Sequence, residues 1–414
     1  MKRMLPKALM LALVAMLCLS PVMAQKNQPD VFKIGFLSSL TGSLAGLAEG
    51  QRKSFILSVE QVNAAGGLKM PWGNVKVETF IADDETKLDV GVRRFREMLD
   101  KGALAVTGGI WNPMSGALNE ETKISSVIYL PGFVPAKDAL LKGNPAEAMY
   151  TPTFTPWSIG YIAARSIVQT MGKKSIFYVE RADSWGTTIR EGIEAACKDF
   201  GAVLVGKDAV NIGTTDYSSV LSKAKASGAD FLVNSLTGAD GIALVKQAID
   251  MGVDKEMDIF YCWLSNTESR GFPPQTLAKL YGQTWFYYDV GGLVDKELVS
   301  SIKEYSDAYM KRWNEPPDNM GTACYVATQY IFQAAERAGS FNPKDVAKVL
   351  ATGTFNTVKG PASFRIDHQP IAKNVLFILK GKTPEERKNE FDWYHVLETY
   401  GGEEVLPPLS VMKY

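Results

Sequence analysis

The stretch Ile34 to Gly67, IGFLSSLTGSLAGLAEGQRKSFILSVEQVNAAGG, constrains the rest of the chain more than any other. It reads as a short buried strand (Ile34 to Leu37), a small-residue turn (Ser38 to Ser43) and a helix whose apolar positions Leu44, Ala48, Phe55, Val59 and Val62 recur at helical spacing. Asn63, Gly66 and Gly67 tolerate positive φ, so the chain leaves the helix there without steric penalty. A strand that enters a helix through Ser, Thr and Gly presents free backbone N–H groups at the helix start. That favours an anionic group at the turn.

The unit then repeats. Val75, Val77, Thr79 and Ile81 alternate with polar residues as a strand ending at Asp83-Asp84, and Leu88, Val92, Phe95 and Leu99 mark a helix. Ala103 to Thr107 is a buried strand running into GGIWNPMSGALNEE, and Ile128 to Leu130 leaves through Pro131-Gly132-Phe133. Such alternation predicts a parallel sheet with helical crossovers. Ligands of these sheets lie beyond the C-terminal strand ends, which makes candidate site loops of Ser38 to Ser43, Ile110 to Ser115 and Pro131 to Pro135. A second series follows, with strands at Ser175 to Val179, Val203 to Val205, Phe231 to Val233 and Asp258 to Tyr261. A strand at Thr284 to Tyr288, three helices between Leu298 and Leu350, turn chemistry at Lys359-Gly360-Pro361 and a strand at Val375 to Leu379 come next. Lys380 to Glu390 reads as a solvated connection, and the tail beyond it has no assignment from pattern alone.

With 414 residues and 46% hydrophobic content, the chain is long enough for two domains with substantial cores. Lys2, Arg3 and Lys7 precede an apolar run from Ala8 to Leu19 and a small residue at Ala24. This order predicts a secretory signal over residues 1–24, and the run is too short for an ordinary membrane span. Cys18 follows Leu17, where a lipid-anchored signal wants a small residue, so the mature chain is expected to be periplasmic, without membrane insertion. Lysines and arginines balance aspartates and glutamates at 45 each, and loss of the signal cations leaves a slightly acidic chain, which argues against nucleic acid. Cys197, Cys262 and Cys324 allow at most one internal disulfide and are expected as buried free thiols.

Catalytic and cofactor motifs are weak. Gly42, Gly46 and Gly50 are spaced four and four, which lacks the close first pair of a dinucleotide fingerprint. No phosphate-cradling G-x-x-x-x-G-K-[ST] and no G-x-S-x-G serine elbow occur. No zinc spacing is present, and neither cofactor nor metal is expected. Asp83 and Asp84 read more readily as strand-exit caps than as a catalytic pair. The aromatics say more: Trp111, Phe133, Trp185 and Trp263 each follow a predicted strand, and together they point to an apolar ligand held between two domains.

In its ordered set of motifs, the chain resembles the type I periplasmic solute-binding proteins of ABC importers, specifically the Leu/Ile/Val-binding family. The matching stretches are IGFLSSLTG with VNAAGGL, Ser115-Gly116, DSWG in place of the usual Asp-x-Tyr-Gly, TTDYSSVLSKAKASGAD, ADGIALVKQAIDMG and FNTVKGPASFRIDHQ, across residues 31–380. The resemblance implies an α/β fold of two Rossmann-like lobes with mainly parallel sheets joined by a three-crossing hinge near residues 152, 282 and 357. Lobe 1 would span 31–152 and 283–356, lobe 2 would span 153–282 and 357–390, and 391–414 would remain as a tail. Hinge closure would enclose the ligand, and an inner-membrane ABC permease would be the partner of a monomeric chain. The first-lobe contacts map onto Leu40, Thr41 and Ser43, onto Trp111, Asn112, Pro113, Met114 and Ser115, and onto Gly132, Phe133 and Val134. The second-lobe contacts map onto Trp185, onto Ser235, Thr237 and Gly238, and onto Trp263 and Leu264.

Two departures bear on the ligand. Where amino acid binders offer small polar residues, this chain has Gly132-Phe133-Val134, and near Trp263-Leu264 no acid is closer than Glu268 to pair with an ammonium. An unpaired buried ammonium is costly. The expectation is therefore a carboxylate, aromatic or aliphatic, with an amino acid as the other choice. Thr41, Ser43 and Ser115 are expected to hold its polar end. Rival readings are a ligand-sensing subunit for a membrane receptor and an exported hydrolase or dehydrogenase.

Overall fold

The computed structural model describes residues 28–42 and 44–414, so the expected signal segment and Ser43 lie outside the described residues. One sheet has the order β2-β3-β1-β4-β5, from β1 (Val31–Ser38), β2 (Leu68–Met70), β3 (Gly73–Asp83), β4 (Ala105–Gly108) and β5 (Ile128–Pro131). β1 pairs in parallel with β3 and β4, and β4 with β5, while β2 is antiparallel to β3. The central strand β1 is buried on both faces, as a parallel strand covered by helices must be. Those helices are α1 (Ala45–Ala64), α2 (Leu88–Asp100) and α3 (Asn112–Ile124). Phe36 of β1 meets Phe55 of α1 with ring centroids 5.2 Å apart.

The predicted exit from α1 is present in detail. Gly66 N–H donates to Asn63 O and Gly67 N–H to Val62 O, both glycines have positive φ, and a Cβ on Gly67 would stand 2.4 Å from Val75 O. Any side chain there would therefore push α1 off β3. The β3 alternation is only half as expected. Val75 and Val77 are buried, but Ile81 is 42% exposed, and Phe80 and Ala82 pack on the other face, against the cluster that includes Phe95 and Met98 of α2.

The second sheet has the order β15-β14-β10-β9-β8-β6-β7. It contains β6 (Ser175–Arg181), β7 (Val203–Val210), β8 (Phe231–Asn234), β9 (Asp258–Tyr261), β10 (Leu280–Thr284), β14 (Leu376–Gly381) and β15 (Tyr394–Tyr400). The four pairings from β7 to β10 are parallel; β14 and β15 add antiparallel at one edge. Helix α4 (Pro156–Gln169) leads into β6, and α5 (Ser184–Phe200), α6 (Ser218–Ser227), α7 (Gly238–Asp250), α8 (Asn266–Gly271) and α9 (Pro274–Leu277) form the crossovers. The strand expected at Thr284 to Tyr288 lies earlier, because Trp285, Phe286 and Tyr287 leave the sheet as buried linker residues.

The chain then returns to the first sheet. In α10 (Lys296–Trp313) Tyr305 shares a 3.0 Å hydrogen bond with Ser54 of α1, and in α11 (Asn319–Ala338) Thr328 pairs with Ser58. After α12 (Pro343–Thr352) a small antiparallel sheet forms from β11 (Thr354–Thr357), β12 (Gly360–Phe364) and β13 (Pro370–Ala372). Phe364 packs on Tyr330 of α11 and on Tyr150, which sets this small sheet against helices beside the first sheet. Buried Arg365 donates to both oxygens of Asp367, which also accepts from Gln369, and Gln369 in turn accepts from Thr155 N–H.

The C-terminal segment is integral to the fold. After β15, Pro407 O accepts from Arg365, and Met412 O accepts from Lys142 N–H. The Met412 side chain is fully buried among Leu37, Phe95, Leu140 and Met149. A chain that pairs in the second sheet thus ends in the core of the first. Truncating that anchor, Met412→Ala, is expected to lower unfolding free energy by about 2–4 kcal/mol, read from urea denaturation. Val411→Ala, at the 38% exposed neighbour, should change it by no more than about 0.5 kcal/mol.

Candidate functional site

The strand ends of the two sheets face each other across a cavity of about 270 Å³. Its wall from the first sheet consists of Leu44 and Leu47 at the start of α1, Thr86 after β3, Ile110, Trp111 and Asn112 after β4, and Phe133 after β5. Across from them stand Arg181, Asp183 and Trp185 after β6, Ile212 after β7 and Thr237 after β8, with Met320 of α11. Every strand-derived group sits at a C-terminal strand end, where parallel sheets expose loops and helix N-termini.

Five expected residues line this cavity: Trp111, Asn112, Phe133, Trp185 and Thr237. The other expected residues that are described lie elsewhere. Met114 is fully buried under α3, and Ser115 donates to Asn112 O inside the same helix turn, so only the first residues of α3 face the cavity. Pro113 is exposed, and Val134 is in the core. Gly132 receives Gln51 Nε2 on its carbonyl and donates its N–H to Gly108 O. Ser235 accepts from Arg181 N–H and donates to Val179 O, while Gly238 N–H is held by Glu268. These groups build the loops rather than line the space.

The turn after β1 carries the clearest correction. Its N–H groups do hold an anion, but the anion is Asp83: Leu40 N–H, Thr41 N–H and Thr41 Oγ1 all donate to this carboxylate, the last at 2.6 Å. Although burial pulls the other way, these bonds hold the Asp83 carboxyl below its ordinary value. Asp84 beside it accepts from Ser39 Oγ and Thr86 N–H. Burial, reinforced by the Asp83 charge, raises its carboxyl above the ordinary value. Leu40 and Thr41 are therefore internal cross-links, and among the described residues of that turn region only Leu44 and Leu47 reach the cavity.

The aromatic residues also meet one another. Phe133 stacks on Trp185 at 6.0 Å and stands edge-on to Trp263 at 5.7 Å, closing an apolar contact between the two sheets. Trp185 Nε1 donates to Ser235 O. Trp263 and Leu264 are only 2% exposed and lie behind this contact.

Sequence reasoning missed the charged groups. Arg181 donates from Nε to Asp183 Oδ2 at 2.8 Å and from Nη1 to Thr237 Oγ1 at 3.3 Å, with its guanidinium 5.3 Å from the Trp185 ring centroid. Asp183 caps α5 by accepting from Gly186 N–H. The signal in the sequence is the Arg-x-Asp step just beyond the predicted strand Ser175 to Val179. Glu268, the acid nearest the Trp263-Leu264 pair in sequence, is buried and accepts from Gly238 N–H, Ser265 N–H and Ser265 Oγ. No cluster of metal-binding side chains occurs among the described residues. Cys197, Cys262 and Cys324 are free thiols, and burial pushes Cys197 up to about 11.

Comparison with known proteins gives this geometry a context. A Leu/Ile/Val-binding protein homolog 3 of Brucella melitensis is 25% identical over 77% of this chain and 83% of its own length. An amino acid ABC transporter substrate-binding protein from Pseudomonas fluorescens shares the fold with a TM-score of 0.82 at 19% identity, covering 92% of this chain and 98% of that one. A solute-binding protein of an ABC transporter from Rhodopseudomonas palustris, solved with benzoate, does so at 0.74 and 14% identity, over 91% and 99%. A family profile described as periplasmic binding protein matches residues 31–383, and the chain belongs to that family.

Proposed function

We propose that this protein is the solute-binding component of an ABC importer, which encloses a small organic molecule between two α/β lobes and presents it to an inner-membrane permease. The observation that carries the reading is the cavity itself: it is walled by strand ends of two separate sheets, so its shape depends on how the two units close. The first lobe would comprise the first sheet, α10 to α12 and the small β11-β12-β13 sheet; the second would comprise the seven-stranded sheet and its helices. Binding without turnover, export to the periplasm and a monomeric chain complete the proposal. An amino acid and an aromatic carboxylate are both represented among the structural relatives, by the Pseudomonas and Rhodopseudomonas proteins named above.

Native mass spectrometry of the purified protein, with small-angle scattering before and after removal of any bound solute, tests this reading. The expected result is a one-to-one complex with an unaltered small molecule and a smaller radius of gyration when it is bound. A solute returned chemically changed would instead indicate an enzyme.

A further inference from the structure

We propose that Arg181 is the anion anchor of the cleft and that the solute is a monocarboxylate with an apolar body and no ammonium group; this rests on the solute-binding reading above. Arg181 is the only cation among the described residues that line the cavity. Its Nε edge is turned to Asp183 and Nη1 to Thr237, and Nη2 has no partner among the described residues. Guanidinium–carboxylate hydrogen bonds are charge-assisted and directional, and an unfilled Nη edge is the part of the group that recruits one.

The neighbouring Asp183 does not cancel this anchor. Its Oδ1 is taken by the N–H of Gly186 at the start of α5, so part of its charge is offset by that helix terminus, and its Oδ2 is taken by Arg181. Asp183 is already paired with Arg181 and with the start of α5, so a ligand ammonium would have to compete with both for it. Glu268, engaged by Gly238 and Ser265, is no more available. The remaining polar groups on the wall are neutral: Asn112, whose side-chain amide finds no partner among the described residues, and Thr86, whose buried Oγ1 likewise has none. The rest is Leu44, Leu47, Ile110, Trp111, Phe133 and Met320. One cation with an open Nη2, an acid already paired with that cation, and an apolar wall favour a single carboxylate on a hydrocarbon or aryl body.

The test is isothermal titration of the full chain with benzoate, phenylacetate, 4-methylpentanoate, benzamide, benzylamine and leucine. At least one carboxylate is expected to bind, with its matched neutral amide weaker by about 10- to 100-fold. Arg181→Met should weaken the carboxylate by a similar factor while the empty protein keeps its thermal midpoint, and Arg181→Lys should restore part of the loss. Tightest binding by leucine or benzylamine, no binding by any carboxylate, or unchanged carboxylate affinity in Arg181→Met would each overturn the proposal. Leu47→Trp, which fills the cavity from the opposite wall, separates the two layers. If it abolishes binding that Arg181→Met leaves intact, the cleft reading stands and the anchor is wrong. Carboxylate affinity unchanged in Leu47→Trp would mean that the cleft reading itself fails.

Discussion

Gly160→Ala is expected to cost about 3 kcal/mol or more of unfolding free energy. An added Cβ at Gly160 of α4 would stand 1.8 Å from Ile189 O of α5, and one at Gly192 of α5 would stand 2.0 Å from Trp157 O of α4. The two helices touch backbone to backbone, and no flexible side chain lies between them to give way. A single methyl must therefore separate the helices or bend one of them. Urea denaturation followed by circular dichroism measures the loss. Gly116→Ala is the control: this glycine lies inside α3 with nothing within 4 Å of its would-be Cβ, so the substitution should stabilise by about 0.5–1 kcal/mol through helix propensity. A Gly160→Ala protein as stable as wild type would show that α4 and α5 are not packed this closely. The contact matters for function because α5 begins at Ser184, so its position sets where Arg181, Asp183 and Trp185 sit in the cleft.

Lys359→Met is expected to stabilise the protein at neutral pH, by about 1–3 kcal/mol. Lys359 is 2% exposed, and its ammonium reaches only Trp285 O and Val375 O, with the Phe377 ring centroid 4.0 Å away. No carboxylate pairs with it among the described residues, so burial holds its pKa well below the ordinary lysine value. In the unfolded chain the same lysine stays protonated up to its ordinary pKa. Between the lowered and the ordinary value the unfolded state binds more protons, so this residue makes stability rise with pH across that window. The gain from Lys359→Met should accordingly be largest at neutral pH and below, and should fade towards pH 10.5. A stability difference independent of pH would exclude a buried titrating amine as its source. The residue is well placed to matter, since it joins Trp285, directly after β10, to Val375, directly before β14.

Much of this architecture was legible because it follows from local pattern. The run Ile34 to Leu37 has to be buried on both faces, VNAAGG has to end a helix, and repetition of that unit leaves a parallel sheet as the outcome. The rule that ligands lie beyond strand ends brought Trp111, Asn112, Phe133, Trp185 and Thr237 into view, all of which line the cavity. The same rule could not tell lining from lodging. Ser115 lies one helical turn beyond Asn112 yet bonds back into its own helix, and Trp263 follows a strand as Trp185 does yet is covered by Phe133 and Trp185. The C-terminal segment carried too little periodicity to read, because its structure comes from partners distant in sequence: β14 for Tyr394–Tyr400, and Lys142 and Leu140 for Met412.

The sequence by itself determined two series of strand, turn and helix, and with them which loops gather at the strand ends, because hydrophobic period and turn chemistry act over a few residues. It also determined that the turn after β1 would attract an anion. Which anion depends on strand pairing. Asp83 comes from the strand beside β1 and takes the N–H groups of Leu40 and Thr41, since a carboxylate already held by the fold satisfies those donors without ordering a free solute. With that turn occupied, the cation that faces the cleft is Arg181, across from it on the other sheet.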